Sequence, residues 1–180
     1  MTNDLKIEKS LLPFNSFLKA DCSYEFIDGY STDFLDKKNE INIKTITKLF
    51  FTSEPNWVKS LMKIRDNAVG KLGLKTTGTT SDKAQDLENF NAEIGQNVGL
   101  FKVFHQSENE VVLGEDDKHL NFRVSLFMEP TQSEKKKLSI STSVKFNNLL
   151  GKAYFIPVKP IHKLIVPSML GRMVNQIQSL

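Results

Sequence analysis

The sequence predicts an α+β domain, with a curved antiparallel sheet wrapped around a long C-terminal helix and two helices after the first strand. Three observations carry this. From about residue 100 to 147, polar and apolar side chains alternate with a period of two, as in strands with one buried face. Residues 55–72 and the C-terminal tail instead repeat apolar residues every three or four positions. Finally, a single sheet with one apolar face needs a cover, and the apolar C-terminal helix can supply it.

Bulk properties set the frame. The chain has 180 residues, 39% hydrophobic and 25% charged, which fits one domain with a real core. Residues 1–20 read as a loosely ordered lead-in, and 21–180 as a single domain. A net charge of +3 is too mild to imply nucleic acid. The run Lys135, Lys136, Lys137 reads as a turn and an edge guard. Cys22 is the only cysteine, so no intrachain disulfide or cysteine zinc site is expected, and it reads as a half-buried strand residue. The opening "MTNDLKIEKSLLPFNSFLKADC" lacks a basic start followed by an apolar run, so no signal peptide is expected. Apolar stretches fall short of the roughly 18 residues of a membrane span. A cytoplasmic location follows as an expectation.

The elements come in order. "CSYEFIDGY" is a first strand, ended by Asp28-Gly29. Residues 33–51 turn helical, with Ile43, Ile46 and Phe50 at spacings of three and four. Thr52 or Ser53 caps a second helix that opens at Pro55 and stops at Gly73. Trp57, Leu61, Ile64, Ala68 and Leu72 share its apolar face, and Arg65 interrupts that face. "KTTGTTSDKAQDLENF" is a long polar loop. "GLFKVFHQ", "NEVVLGE", "KHLNFRVSLFM" and "KLSISTSVKF" are antiparallel strands with one wet face. Leu120, Phe122, Val124, Leu126 and Met128 point inward in the third of these. In the tail, Pro157 is expected to break the chain. A longer helix then starts at Pro160 and kinks at Pro167, with Ile161, Ile165, Met169 and Met173 on one face.

Three stretches carry a family resemblance: "EPNWVKSLMKIRDNAVGKLGL" (54–74), "ENEVVLGEDDKHLNFRVSL" (108–126) and "FNNLLGKAYFIPVKPIHKLIVPSMLGRM" (146–173). The element order resembles the helix-grip fold, also called START-like or polyketide-cyclase-like. The motifs resemble a bacterial family of domains of unknown function. That family occurs alone, and as the C-terminal domain of short-chain-dehydrogenase-like, nucleotide-binding proteins. The resemblance implies a START-like fold with an apolar ligand cavity, and it brings no catalytic motif.

The densest polar stretch is "GEDDKHLNFR", residues 114–123. Gly114, Glu115 and Asp116 are turn residues. Asp117, His119 and Arg123 share one strand face as a polar cluster, read as a solvated face or as one turned to a partner or ligand mouth. Two donors beside an arginine do not make a metal site, so no metal is expected. No nucleophile elbow or P-loop is present, so neither catalytic residues nor a cofactor are assigned. His105 reads as solvated, and His162 as a core histidine near the apolar arc of the last helix.

The function expected is a non-catalytic binder of a small apolar or amphipathic molecule, held between the inner sheet face and the C-terminal helix. Trp57, Arg65, Phe122, Tyr154, His162 and Met169 are the candidates for lining that cavity, with Tyr154 and His162 supplying orienting hydrogen bonds. Two alternatives stand beside it. One is an interaction or scaffold protein with an exposed apolar patch. The other is a cyclase- or hydrolase-like enzyme using His162 or Arg65 with a nearby acid. Nucleic acid is not expected as a partner, and a membrane surface ranks low although Lys159, Lys163 and Arg172 flank an apolar face of the last helix.

Overall fold

A computed structural model describes residues 5–20, 23–61, 86–129, 131 and 134–179. It holds seven strands: β1 (Glu8–Lys9), β2 (Phe26–Leu35), β3 (Asn97–Val98), β4 (Phe101–Gln106), β5 (Glu110–Asp116), β6 (Leu120–Met128) and β7 (Lys135–Phe146). Among the described residues, α1 (Ile43–Thr52) and helical segments at 56–61 and 86–88 follow β2. The long helix α2 (Leu149–Ile177) comes last. The strands form one curved, open sheet in the order β1-β2-β7-β6-β5-β4-β3, antiparallel throughout. The α+β architecture predicted from periodicity is the one observed.

Strand phase builds the core. Tyr30, Ile140 and Leu126 stand opposite one another across β2, β7 and β6, and Val111 continues the row on β5. Above this face lie Ile46, Phe50 and Phe51 of α1 and Val166, Met169, Leu170, Met173 and Val174 of α2. Fully burying a side chain such as Leu170 or Ile46 contributes roughly 1.5–3 kcal/mol, so this layer is the main stabilising unit.

Several expectations are corrected. β2 does not end at Asp28-Gly29 but continues to Leu35. Gly29 is needed there for close approach, because a Cβ on it would lie 2.9 Å from the Ser10 carbonyl oxygen. The first helix starts only at Ile43, where the Asn42 side chain accepts the Thr45 N–H at 3.0 Å. The tail is neither broken at Pro157 nor restarted at Pro160, since α2 runs unbroken through Pro157, Pro160 and Pro167. Those prolines leave without a donor the carbonyls four residues earlier, on Ala153, Ile156 and Lys163. All three of these residues are exposed, so water can serve them.

The second sheet face is not wet either. Ser125, Ser139, Ser141 and Ser143 are at most 2% exposed. The chain ahead of β2, read from sequence as a lead-in, crosses this face. Its Ser10 N–H donates to the Gly29 carbonyl at 2.9 Å. Farther along, the Ser16 hydroxyl and the Phe17 N–H donate to the Glu110 carboxylate on β5 at 2.7 and 2.8 Å. Phe17 also stacks on His105, with ring centroids 4.0 Å apart, so this histidine is half-buried rather than fully solvated. Serines suit the face because their small side chains let a second backbone layer lie close. The lysine run is no edge guard, because β7 is an interior strand. Lys136 is buried and pairs with Asp36 at 2.7 Å.

Candidate functional site

The strand phase that builds the core also places polar groups in it. Asp28 and Thr142 are register partners on the inner face of β2 and β7. His162 lies over them on α2. Its Nε2 is 3.1 Å from the Thr142 hydroxyl, and its Nδ1 is 3.9 Å from Asp28 Oδ2. In the tautomer with its proton on Nδ1, the imidazole accepts from Thr142 and turns its own N–H toward Asp28. Burial is deep, with 2% of the Asp28 side chain and 17% of the His162 side chain exposed. Apolar rings wall one side. Phe26 meets His162 edge-on at 6.0 Å and Phe155 at 4.8 Å, and Phe155 packs on Phe146.

Electrostatics follow from this setting. Burial pushes the His162 pKa below its ordinary value, and the Asp28 carboxylate only partly offsets that, so the imidazole is neutral near pH 7. Tyr30, on the same strand face, has its phenol raised by burial first, then by the Asp28 charge and by its hydrogen bond to the Asp28 carboxylate. Asp28 Oδ1 accepts the Gly29 N–H at 3.1 Å and lies 3.8 Å from Lys9 Nζ. Asp28 Oδ2 and His162 Nδ1 are buried and lack a hydrogen-bond partner among the described residues. Their separation is too long for a direct bond, so each would carry a desolvation cost unless a third group bridges them.

The residues singled out from sequence do not all converge here. Phe122 lies on the same sheet face as Thr142, one row away opposite Val144, and packs edge-on against Phe101. Met169 is two turns beyond His162 in the buried core. Tyr154 is half-buried on the first turns of α2. Trp57 is 42% exposed, whereas its neighbour Val58 is buried, so the second helix turns Trp57 toward solvent. Arg65 and Cys22 lie outside the described residues. A groove of about 560 Å³ is present, but at the sheet margin between Leu5, Glu8, Phe34, Leu35 and Gln178, not beneath α2 at His162.

The polar cluster divides into two structural devices. Asp117 and His119 belong to the turn that seats the N-terminus of α2. Asn147 Nδ2 donates to the Asp117 carbonyl at 2.6 Å, and Asn148 Nδ2 to the Lys118 carbonyl at 2.9 Å. His119 Nδ1 lies 3.0 Å from that same Asn148 amide nitrogen. Asn148 Oδ1 meanwhile accepts the Gly151 N–H and caps the helix. Arg123 turns away from this seat. Its guanidinium lies over the Phe104 ring, 3.5 Å from the centroid, and donates to Asp116 at 2.7 Å. Among the described residues, no three His, Cys, Asp or Glu side chains gather as metal ligands, and no helix is long and apolar enough to cross a membrane.

Sequence reading found His162 but missed Asp28 and Thr142. The signal was available. Thr142 falls in phase with inward Ile140 and Val144, and Asp28 in phase with Phe26 and Tyr30. Asp28 reads from sequence as the end of the strand because Asp-Gly usually marks a turn.

No curated protein and no solved structure matches the chain. A family model does match, over residues 22–169 and so over most of the sequence. The chain belongs to the family described as "Protein of unknown function (DUF2867)".

Proposed function

We propose that this is a ligand-binding domain of helix-grip, START-like design, taking a small amphipathic molecule between the inner sheet face and α2. The observation that carries the reading is the pair of buried, unbonded atoms Asp28 Oδ2 and His162 Nδ1, 3.9 Å apart among aromatic rings. A hydroxyl placed between them would donate to the carboxylate and accept from the imidazole N–H. The ligand class is therefore a mainly apolar molecule with a hydroxyl head, its body lying along Phe26 and Phe155. Few orienting polar groups in an apolar wall is the usual composition of such sites.

One observation favours a second reading. Asp28, His162 and Thr142 stand in the order acid, imidazole, hydroxyl, which is the order of a proton relay. It ranks second because Thr142 is only 5% exposed and the acid stands beyond hydrogen-bond reach of the imidazole.

The test is a thermal-shift panel of fatty alcohols, sterols and their hydroxyl-free analogues on the wild type and on His162→Gln and Asp28→Asn. Stabilisation by the hydroxylated molecules, absent with the analogues and weakened in both variants, supports the reading. No stabilisation of the wild type by any member, or equal stabilisation of wild type and variants, overturns it.

A further inference from the structure

α2 is apolar on two opposite sides. One side carries Phe155 and, farther along, Val166, Met169 and Met173 into the core. The other carries Leu149, Ala153, Ile156, Pro160 and Leu164, spaced by three and four so that they form one stripe. Leu149, Ile156 and Leu164 are 84%, 71% and 64% exposed. Leu150 and Ile161, at 41% and 36%, widen the stripe on one shoulder. A helix of a water-facing protein ordinarily keeps charged residues on the side away from its core. Here that side is apolar over about 22 Å, taking 1.5 Å per residue.

Charge tells what such a stripe fits. After Glu134 the sequence holds seven lysines and Arg172 but no acidic residue, so α2 has none. Lys152, Lys159 and Lys163 line the other shoulder of the stripe, all exposed. Lys152 pairs with Glu25 at 3.6 Å, and Lys159 reaches over the Phe26 ring, so these lysines are held along the flank. Aliphatic side chains bordered by lysines, with no carboxylate on α2 itself and Glu25 answering only Lys152, match the acyl–headgroup boundary of an anionic bilayer. A second copy of the chain would fit less well. It would bring two acid-free helices together with no carboxylate on either to answer the lysines.

We propose that α2 docks this protein on anionic lipid membranes, lying in the interface with Leu149, Ile156 and Leu164 inserted and Lys152, Lys159 and Lys163 on the headgroups. From sequence, Lys159, Lys163 and Arg172 flank an apolar face of this helix, but a membrane surface ranks low as a partner. This proposal does not rest on the ligand-binding reading, since the stripe and the Asp28–His162 site lie on opposite sides of α2.

The experiment is co-sedimentation of the full chain with phosphatidylcholine vesicles, with and without phosphatidylserine, at low and high salt. Two variants accompany it: Leu149→Gln/Ile156→Gln/Leu164→Gln, and Lys152→Gln/Lys159→Gln/Lys163→Gln. Their folding is checked by circular dichroism, and the exposure of all six positions makes misfolding a small risk. The wild type is expected to bind only the serine-lipid vesicles, and less at high salt. The lysine variant should lose at least tenfold in partition, because each lysine near such a surface is worth roughly fivefold. The apolar variant should lose binding as well. Absence of wild-type binding overturns the proposal, and so does equal binding to neutral vesicles. Salt-sensitive binding that survives the apolar variant reduces the effect to loose charge attraction and also overturns insertion. A dimer in sedimentation velocity, or capture of an acidic protein, that is lost in the apolar variant while vesicles are ignored reassigns the face and overturns it too.

Discussion

Replacing Lys136 with Met would test how much of the fold hangs on one buried ion pair. Lys136 Nζ lies 2.7 Å from Asp36 Oδ2, and the two side chains are only 7% and 4% exposed. Asp36 also accepts the Glu40 and Ile41 N–H groups at 3.1 and 3.0 Å, and so ties the turn after β2 to β7. Burial alone would raise the Asp36 pKa. The Lys136 hydrogen bond and the two backbone N–H groups outweigh it, and the carboxyl lies below its ordinary value. Methionine keeps the aliphatic length but removes the charge, leaving a buried carboxylate without its cation. Breaking such a pair on one side costs about 3–5 kcal/mol. For a chain of this size that is roughly a 6–20 °C fall in Tm, at about 2–4 °C per kcal/mol. Adding Asp36→Asn should recover much of the loss, because the amide removes the stranded charge and its oxygen still accepts one N–H. The pH dependence has a definite sign. A depressed folded-state pKa gives stability that is complete above the unfolded value and is lost as pH falls through the folded one. That acid loss should shrink in Asp36→Asn. Urea melts followed by circular dichroism would read all of this. A loss below about 1 kcal/mol for Lys136→Met would refute the reasoning, since that is the range of exposed pairs.

Three further outcomes are expected. Gly151→Ala should destabilise by about 1–3 kcal/mol, because a Cβ there would collide with the His119 carbonyl oxygen. Alanine otherwise favours a helix over glycine by up to about 1 kcal/mol, so the sign of the change in Tm is itself the test. His162→Phe should flatten the stability profile below neutral pH. The folded-state pKa of His162 is depressed, so its unfolded form binds the extra proton and stability falls as pH drops below about 6.5; melts at stepped pH check this. Glu110→Ala should cost about 2–3 kcal/mol by stranding the Ser16, Ser125 and Phe17 donors, and limited proteolysis should then cut the segment around residues 10–20.

Strand and helix phase made the architecture legible. β6 and β7 alternate strongly enough to assign their inner faces from sequence, and the C-terminal helix reads as the cover. What alternation cannot report is a second backbone layer. The serines of β7 look the same whether water or residues 10–20 lie on them. Proline positions misled for a related reason. Pro157 and Pro160 break a helix only where the freed carbonyls go unserved, and exposure is a property of the fold. The site was half legible. His162 stood out as a titratable residue near an apolar arc, but its partners come from strands far apart in sequence, paired by the register of β2 with β7. Asp117, His119 and Arg123 stood out as chemistry and turn out to be a helix seat and a cation stacked on an aromatic ring.

In the proposed function, Asp28 and His162 hold the polar head of a bound amphipathic molecule. Native mass spectrometry of the protein purified from its own host, with extraction and identification of whatever is released, tests it most directly. A stoichiometric, hydroxyl-bearing, mainly apolar molecule is expected on the wild type and is expected to be lost from His162→Gln. A clean unliganded mass for wild type and variant alike, together with no stabilisation by any amphiphile tested, would contradict it.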